Sequence, residues 1–135
     1  MFQNNVPLGA NDAPWGVMKK LLASALFGLC IAALASAQSI GGTYTVEGTN
    51  LDGTPYSGTA EITLTSDTTC TIHWVTGGTT SDGICSRNGD AFAAAYVLGD
   101  VFGLVVYKVD GDGTLDGLWT IAGKDGNGTE VLSPE

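Results

Sequence analysis

From Gln38 onward no stretch sustains a 3.6-residue apolar period, and apolar side chains recur at every second position instead. Tyr44 and Val46 alternate with Thr43, Thr45 and Glu47. Ala60, Ile62 and Leu64 alternate with Thr59, Glu61, Thr63 and Thr65. Cys70, Ile72 and Trp74 alternate with Thr71, His73 and Val75. A weaker run leads from Thr79 to Ile84 and Cys85. Phe92, Ala94 and Tyr96 follow, then a segment over 101–109 that is apolar on both faces until Lys108. Leu115, Gly117 and Trp119 alternate with Asp116, Leu118 and Thr120, and a last run covers 129–132. Period two places successive side chains on opposite faces of an extended chain, so these runs predict eight β-strands.

The joints between runs are short. Asp52-Gly53, Gly77-Gly78, Asn88-Gly89, Asp112-Gly113, Asp125-Gly126 and Asn127-Gly128 all lie there, and such pairs take positive φ cheaply in tight hairpins. Two joints share a D-G-T turn, Asp52-Gly53-Thr54 and Asp112-Gly113-Thr114, as if one local solution were used twice. No joint is long enough for a crossover helix, so each strand should pair antiparallel with its sequence neighbours. The predicted fold is all-β: an eight-stranded antiparallel up-and-down meander, closed into a barrel because closure removes exposed strand edges. Glycines at strand starts and inside strands, among them Gly41, Gly42, Gly58, Gly83, Gly103 and Gly117, suit the sharp coiling of a small barrel. Tyr44, Trp74, Phe92, Tyr96, Tyr107 and Trp119 are the expected core aromatics, with Tyr56 beside them. Eight strands are just wide enough to be filled by their own side chains, so a packed interior with at most a shallow mouth is expected.

Residues 18–37 have the form of a secretory leader. Met18-Lys19-Lys20 precede an uncharged apolar run over 21–34, and Ala35-Ser36-Ala37 follows as a small-x-small exit. The run is too short for a membrane span, which needs about 20 residues. Residues 1–17 precede the basic start and read as a misplaced gene start or a disordered extension. The exported domain is then 38–135, periplasmic or secreted, with no membrane span once the leader is gone. It keeps three of the five basic residues and thirteen of the fourteen acids, a net charge of −10. That balance argues against nucleic acid, whose phosphates need clustered Lys and Arg.

Export also sets the cysteine chemistry. Cys30 leaves with the leader, and Cys70 and Cys85 remain to form one disulfide in an oxidising compartment. A loop of this length stabilises by about 3 kcal/mol in the chain-entropy description. Two thiolates and His73 leave zinc short of a fourth ligand.

Catalytic groupings are sparse. His73 is the one His of the chain and is placed on the outward face of its strand. No G-x-S-x-G elbow occurs. Glu47 and Glu61 lie on neighbouring strands but on the polar face, where acids are ordinarily solvated. Asp110, Asp112 and Asp116 are a weak calcium candidate: taking Asp110 as the first EF-hand position puts Leu115 where Gly is required and Ile121 where Glu is required. Asp125, Asn127 and Glu130 form a weaker cluster. The chain is therefore read as non-enzymatic, with no cofactor.

Several segments resemble a family of small exported bacterial proteins, some of which carry the label fibronectin-binding protein. They are Gly42-Thr43-Tyr44-Thr45-Val46-Glu47-Gly48-Thr49-Asn50, Asp52-Gly53, Tyr56-Ser57-Gly58, Ile72-His73-Trp74, Asn88-Gly89-Asp90, Val105-Val106-Tyr107, Asp112-Gly113-Thr114-Leu115-Asp116-Gly117-Leu118-Trp119 and Gly128-Thr129-Glu130-Val131-Leu132. The resemblance covers nearly the whole of 38–135 and implies a protein-binding role. Cys70-Thr71-Ile72 with Cys85 is similar to the cysteine hairpin of periplasmic metalloprotease inhibitors, which are also eight-stranded barrels. That second likeness covers about a third of the chain, and Tyr44 stands where those inhibitors open with Trp. It implies that Gln38-Ser39-Ile40 is a free tail able to enter a protease cleft.

The expected function is an exported, acidic, non-enzymatic barrel that binds a protein partner, its outward Thr43, Thr45, Thr59, Thr63, Thr65, Thr71 and Thr120 offering one surface. A protease inhibitor and a lipocalin-like carrier of a small apolar ligand are the alternatives. A carrier requires an interior cavity of several hundred Å³.

Overall fold

The computed structural model describes residues 38–135, so residues 1–17 and the leader over 18–37 lie outside the described part. Every alternating run becomes a strand: β1 (Gly42–Thr49), β2 (Pro55–Leu64), β3 (Thr69–Thr76), β4 (Thr79–Asn88), β5 (Ala91–Leu98), β6 (Val101–Val109), β7 (Leu115–Ile121) and β8 (Gly128–Pro134). Each pairs antiparallel with its neighbour, and β1 pairs with β8, closing the barrel in the order β1 to β8. Closure leaves no strand edge unpaired.

Turn chemistry follows the residues. Between β3 and β4 only Gly77 and Gly78 intervene, with φ of 57° and 79°. Two positive φ values make a type I′ turn, whose twist matches that of the strands it joins. The two D-G-T turns are the same device. In one, Asn50 N donates to Thr54 O and Thr54 N donates to Asp52 Oδ1. In the other, Asp110 N donates to Thr114 O and Thr114 N donates to Asp112 Oδ1.

The strands have two distinct ends. At the end carrying the β2–β3, β4–β5 and β6–β7 turns, the inside is filled. Phe92 and Tyr107 stack with centroids 5.3 Å apart, packed with Val46, Ile72, Leu115 and Leu132 in the buried core. Cys70 and Cys85 face each other directly across the β3–β4 ladder, Cα atoms 4.9 Å apart, and are joined as a disulfide. The segment 38–40 closes this end. Ile40 is buried, the Tyr44 hydroxyl donates to Ile40 O at 2.7 Å, and the Arg87 guanidinium donates to Gln38 O. Gln38-Ser39-Ile40 is thus docked against the barrel, contrary to the free tail that the inhibitor likeness implies.

The other end departs from the expected packed interior with at most a shallow mouth. There a cavity of about 490 Å³ opens among the β1–β2, β3–β4, β5–β6 and β7–β8 turns. The cause lies in cross-strand pairs of glycine with an aromatic residue. Gly48 faces Tyr56, Gly103 faces Tyr96, Gly117 faces Tyr107 and Gly128 faces Trp119 across their ladders. A Cβ on Gly103 would come within 2.0 Å of Tyr96 Cζ, so that ring lies flat against the wall. Near the open end three such rings cover the wall and leave the centre clear. Tyr96 and Trp119 are consequently half-buried rather than fully enclosed, while Tyr44, Trp74, Phe92 and Tyr107 are buried.

The outer surface is divided. On β1, β2 and β3 it presents Thr43, Thr45, Thr59, Thr63 and Thr71, all exposed. On β4 to β7 its middle is apolar: Ile84, Phe102, Leu104, Val106 and Leu118 are 56–70% exposed. Ladder register sets Ile84, Ala95 and Leu104 in one row and Ala93, Val106 and Leu118 in the next. Among the described residues no helix is long and apolar enough to cross a membrane.

Candidate functional site: an aromatic lumen with a carboxylate floor

The open cavity is walled by Tyr56 from β2, Trp74 from β3, Tyr96 from β5 and Trp119 from β7. The rings form two edge-to-face pairs: Trp74 with Tyr96, centroids 5.6 Å apart, and Tyr56 with Trp119, 6.3 Å apart. Such geometry sets the positive rim of one ring against the negative face of the other. Ser81, Leu98, Val105 and Ile121 complete the wall, and Asp52 and Lys124 stand at the rim.

Glu130 forms the floor. It points inward from β8, is 6% exposed, and is the buried charged residue of the described chain. Three donors converge on it. Trp74 Nε1 donates to Oε1 at 3.0 Å, Tyr107 Oη donates to the same oxygen, and Tyr56 Oη donates to Oε2 at 2.8 Å. Three neutral donors around one carboxylate suit the ionised form, which only accepts. They also offset the cost of burying it.

The field of that carboxylate is felt by its neighbours. Burial, and next the negative charge of Glu130, push the Tyr96 phenol up to about 12. The same two causes, joined by the hydrogen bond to Glu130, also raise Tyr56 and Tyr107. Tyr44, at the closed end, is raised by burial and partly lowered by Arg87. At the rim, Asp52 is held below the usual carboxylate range, first by the Thr54 hydroxyl and then by the Thr54 backbone N–H. One polar atom in the wall has no protein partner: the buried Trp119 Nε1.

The other candidates from the sequence are dispersed. His73 lies on the outer face of β3 with its Nδ1 2.6 Å from Asp82 Oδ1 on β4. Glu61 is paired with Thr43 and Glu47 with Ser57, so the two acids sit four β1 positions apart on the outer face. Asp110, Asp112 and Asp116 do not converge. Asp110 lies 3.8 Å from Lys108, Asp112 caps its own turn, and Asp116 points outward from β7. Among the described residues no group of three His, Cys, Asp or Glu is placed to hold a metal ion. Glu130 lies near Asp125 and Asn127 in the sequence, yet it works apart from both. The available signal was its register: counting by two from Leu132 puts Glu130 on the inward face.

No protein-family model matches the chain, and no curated protein does. Several solved structures share its fold. A redesigned β-barrel, mFAP1, bound to DFHBI, superposes with a TM-score of 0.62 at 19% identity, over 70% of this chain and 94% of that one. A second redesigned β-barrel gives 0.63 at 17% identity, over 71% and 91%. A fluorescence-activating β-barrel of de novo design gives 0.59 at 17% identity, over 73% and 96%. At these identities the likeness is one of fold: this chain is an eight-stranded antiparallel β-barrel.

Proposed function

We propose that this protein is a small-molecule-binding barrel whose ligand enters the open end and lies among Tyr56, Trp74, Tyr96 and Trp119. The observation that carries this reading is the cavity of about 490 Å³, within the size range of sites for small organic ligands. A concave, largely apolar wall with a few polar groups, here Glu130 and Ser81, is the general form of such sites. That a barrel of the same fold is bound to DFHBI supports the reading by analogy. The role is binding without catalysis, and it belongs outside the cytosol. The leader-like residues 18–37 and the Cys70–Cys85 disulfide support that location.

The test is a titration of the purified protein with a panel of planar aromatic small molecules, DFHBI included, followed by tryptophan fluorescence. At least one member should give a saturable one-to-one response at micromolar concentration. Ser81→Phe, which fills the lumen from its wall, should abolish that response while leaving the thermal midpoint unchanged. A panel without any saturable response would overturn the reading.

Protein binding is the second reading, and the observation favouring it is the apolar outer face of β4 to β7. Contiguous exposed apolar patches on soluble domains commonly mark interaction sites. A partner bound there should be lost on Leu104→Lys and retained on Thr59→Lys, which alters the threonine-rich side. Equal retention by both variants would remove this reading.

A further inference from the structure

Within the reading of the lumen as a ligand site, and resting on it, we infer that the ligand is an organic cation. It is an ammonium-bearing small molecule whose charge sits among the four rings above Glu130. Four observations converge on this.

First, the floor is charged. Glu130 is buried, and its three partners, Trp74, Tyr56 and Tyr107, are neutral donors. They satisfy oxygen lone pairs but leave the unit negative charge in place. Among the described residues no Lys or Arg lies within ion-pair distance of it. A glutamine of the same shape would be cheaper to bury if the site held neutral molecules. Oε2 accepts from Tyr56 alone among side chains, so it keeps acceptor capacity.

Second, the walls favour positive charge. Tyr, Trp and Phe faces attract ammonium groups within about 6 Å of the ring centroid, more strongly where water is excluded. Here two tyrosines and two tryptophans line one cavity. Tyr56 and Trp74 donate to the carboxylate, which pushes electron density into their rings and strengthens the negative face.

Third, the approach is selective. The domain carries −10, a field that draws cations toward the mouth and disfavours anions. The rim itself is nearly neutral, with Asp52 opposite in sign to Lys124. Arg87 and Lys108 lie toward the closed end of their strands, on β4 and β6. Fourth, the volume of about 490 Å³ accommodates a substituted ammonium with an aromatic or alkyl body, which the apolar wall residues Leu98, Val105 and Ile121 would contact.

The experiment compares three probes with a similar phenylalkyl body and different charge: 4-phenylbutyltrimethylammonium, 4-phenylbutanol and 4-phenylbutyrate. Each is titrated into the purified protein by calorimetry and by tryptophan quenching. The ammonium should bind about tenfold or more tighter than the alcohol, and the butyrate weakest. Glu130→Gln, checked for retained β-sheet circular dichroism, should reduce the preference of ammonium over alcohol to about threefold or less. If that variant does not fold, Trp119→Leu keeps the carboxylate and should weaken the ammonium more than the alcohol. The wild-type comparison stands without either variant. Alcohol or butyrate binding as tightly as the ammonium would overturn the cation inference and leave the ligand-site reading intact. Binding of none of the three, together with a silent aromatic panel, would overturn both.

Discussion

The Trp74 indole N–H reaches across the lumen to the Glu130 carboxylate, 3.0 Å away. The bond joins β3 to β8 through the interior, although β1 and β2 separate those strands in the wall. Tyr107 and Tyr56 donate to the same carboxylate from β6 and β2. One acid therefore ties four strands together at the level where the packed half of the barrel gives way to the open half.

Removing that acid should leave buried donors unpaired. Glu130→Ala is expected to destabilise the protein by about 2–3 kcal/mol, since orphaned buried polar groups cost more than the bonds themselves contribute. Glu130→Gln should cost less, because its amide oxygen retains acceptor capacity. Urea unfolding measures both, and a loss below about 0.5 kcal/mol for the alanine variant would show that the network adds nothing net.

The phenols make stability fall at high pH. All four tyrosines of the chain are raised above the ordinary value, Tyr96 to about 12, and burial is the first cause in each. The native state thus holds its phenolic protons where the unfolded chain, with phenols near 10, releases them. Their contribution is fully present below about pH 10 and is lost as pH climbs toward 12. Absorbance near 295 nm should show little tyrosinate in the native protein at pH 10.5, and a jump on unfolding in urea at that pH. Tyrosinate forming in the native protein at pH 10 would contradict the burial of these rings.

Glycine at the aromatic pairs should resist substitution. Gly103→Ala forces a methyl group into the space of the Tyr96 ring, and overpacking of this kind costs about 1–3 kcal/mol. Gly111→Ala, where a Cβ meets nothing within 4 Å, should be neutral or slightly stabilising. Similar thermal shifts for the two variants would mean that Tyr96 is free to move off the wall.

The disulfide should contribute only when formed. Its sequence separation is 15, which corresponds to about 3 kcal/mol. Cys70→Ala should lower the thermal midpoint in oxidising buffer, and the variant and parent should converge under reductant. An equal gap in both buffers would assign the loss to packing around the side chain.

Strand number, order and facing were determined by local chemistry that the sequence states outright. Period-two alternation named all eight strands, Gly77-Gly78 and the two D-G-T turns set the hairpins, and Cys70 and Cys85 shared a face because both fell on inward positions. The lumen was decided only by tertiary structure. Whether an inward ring crosses the centre or lies along the wall depends on what stands opposite on the next strand. Gly103 admits Tyr96 to the wall through a pairing that exists only once β5 and β6 are in register. In the sequence Glu130 stood only in a weak cluster with Asp125 and Asn127. Its partners come from positions 56, 74 and 107, far apart along the chain, and closing the barrel brings them to one point.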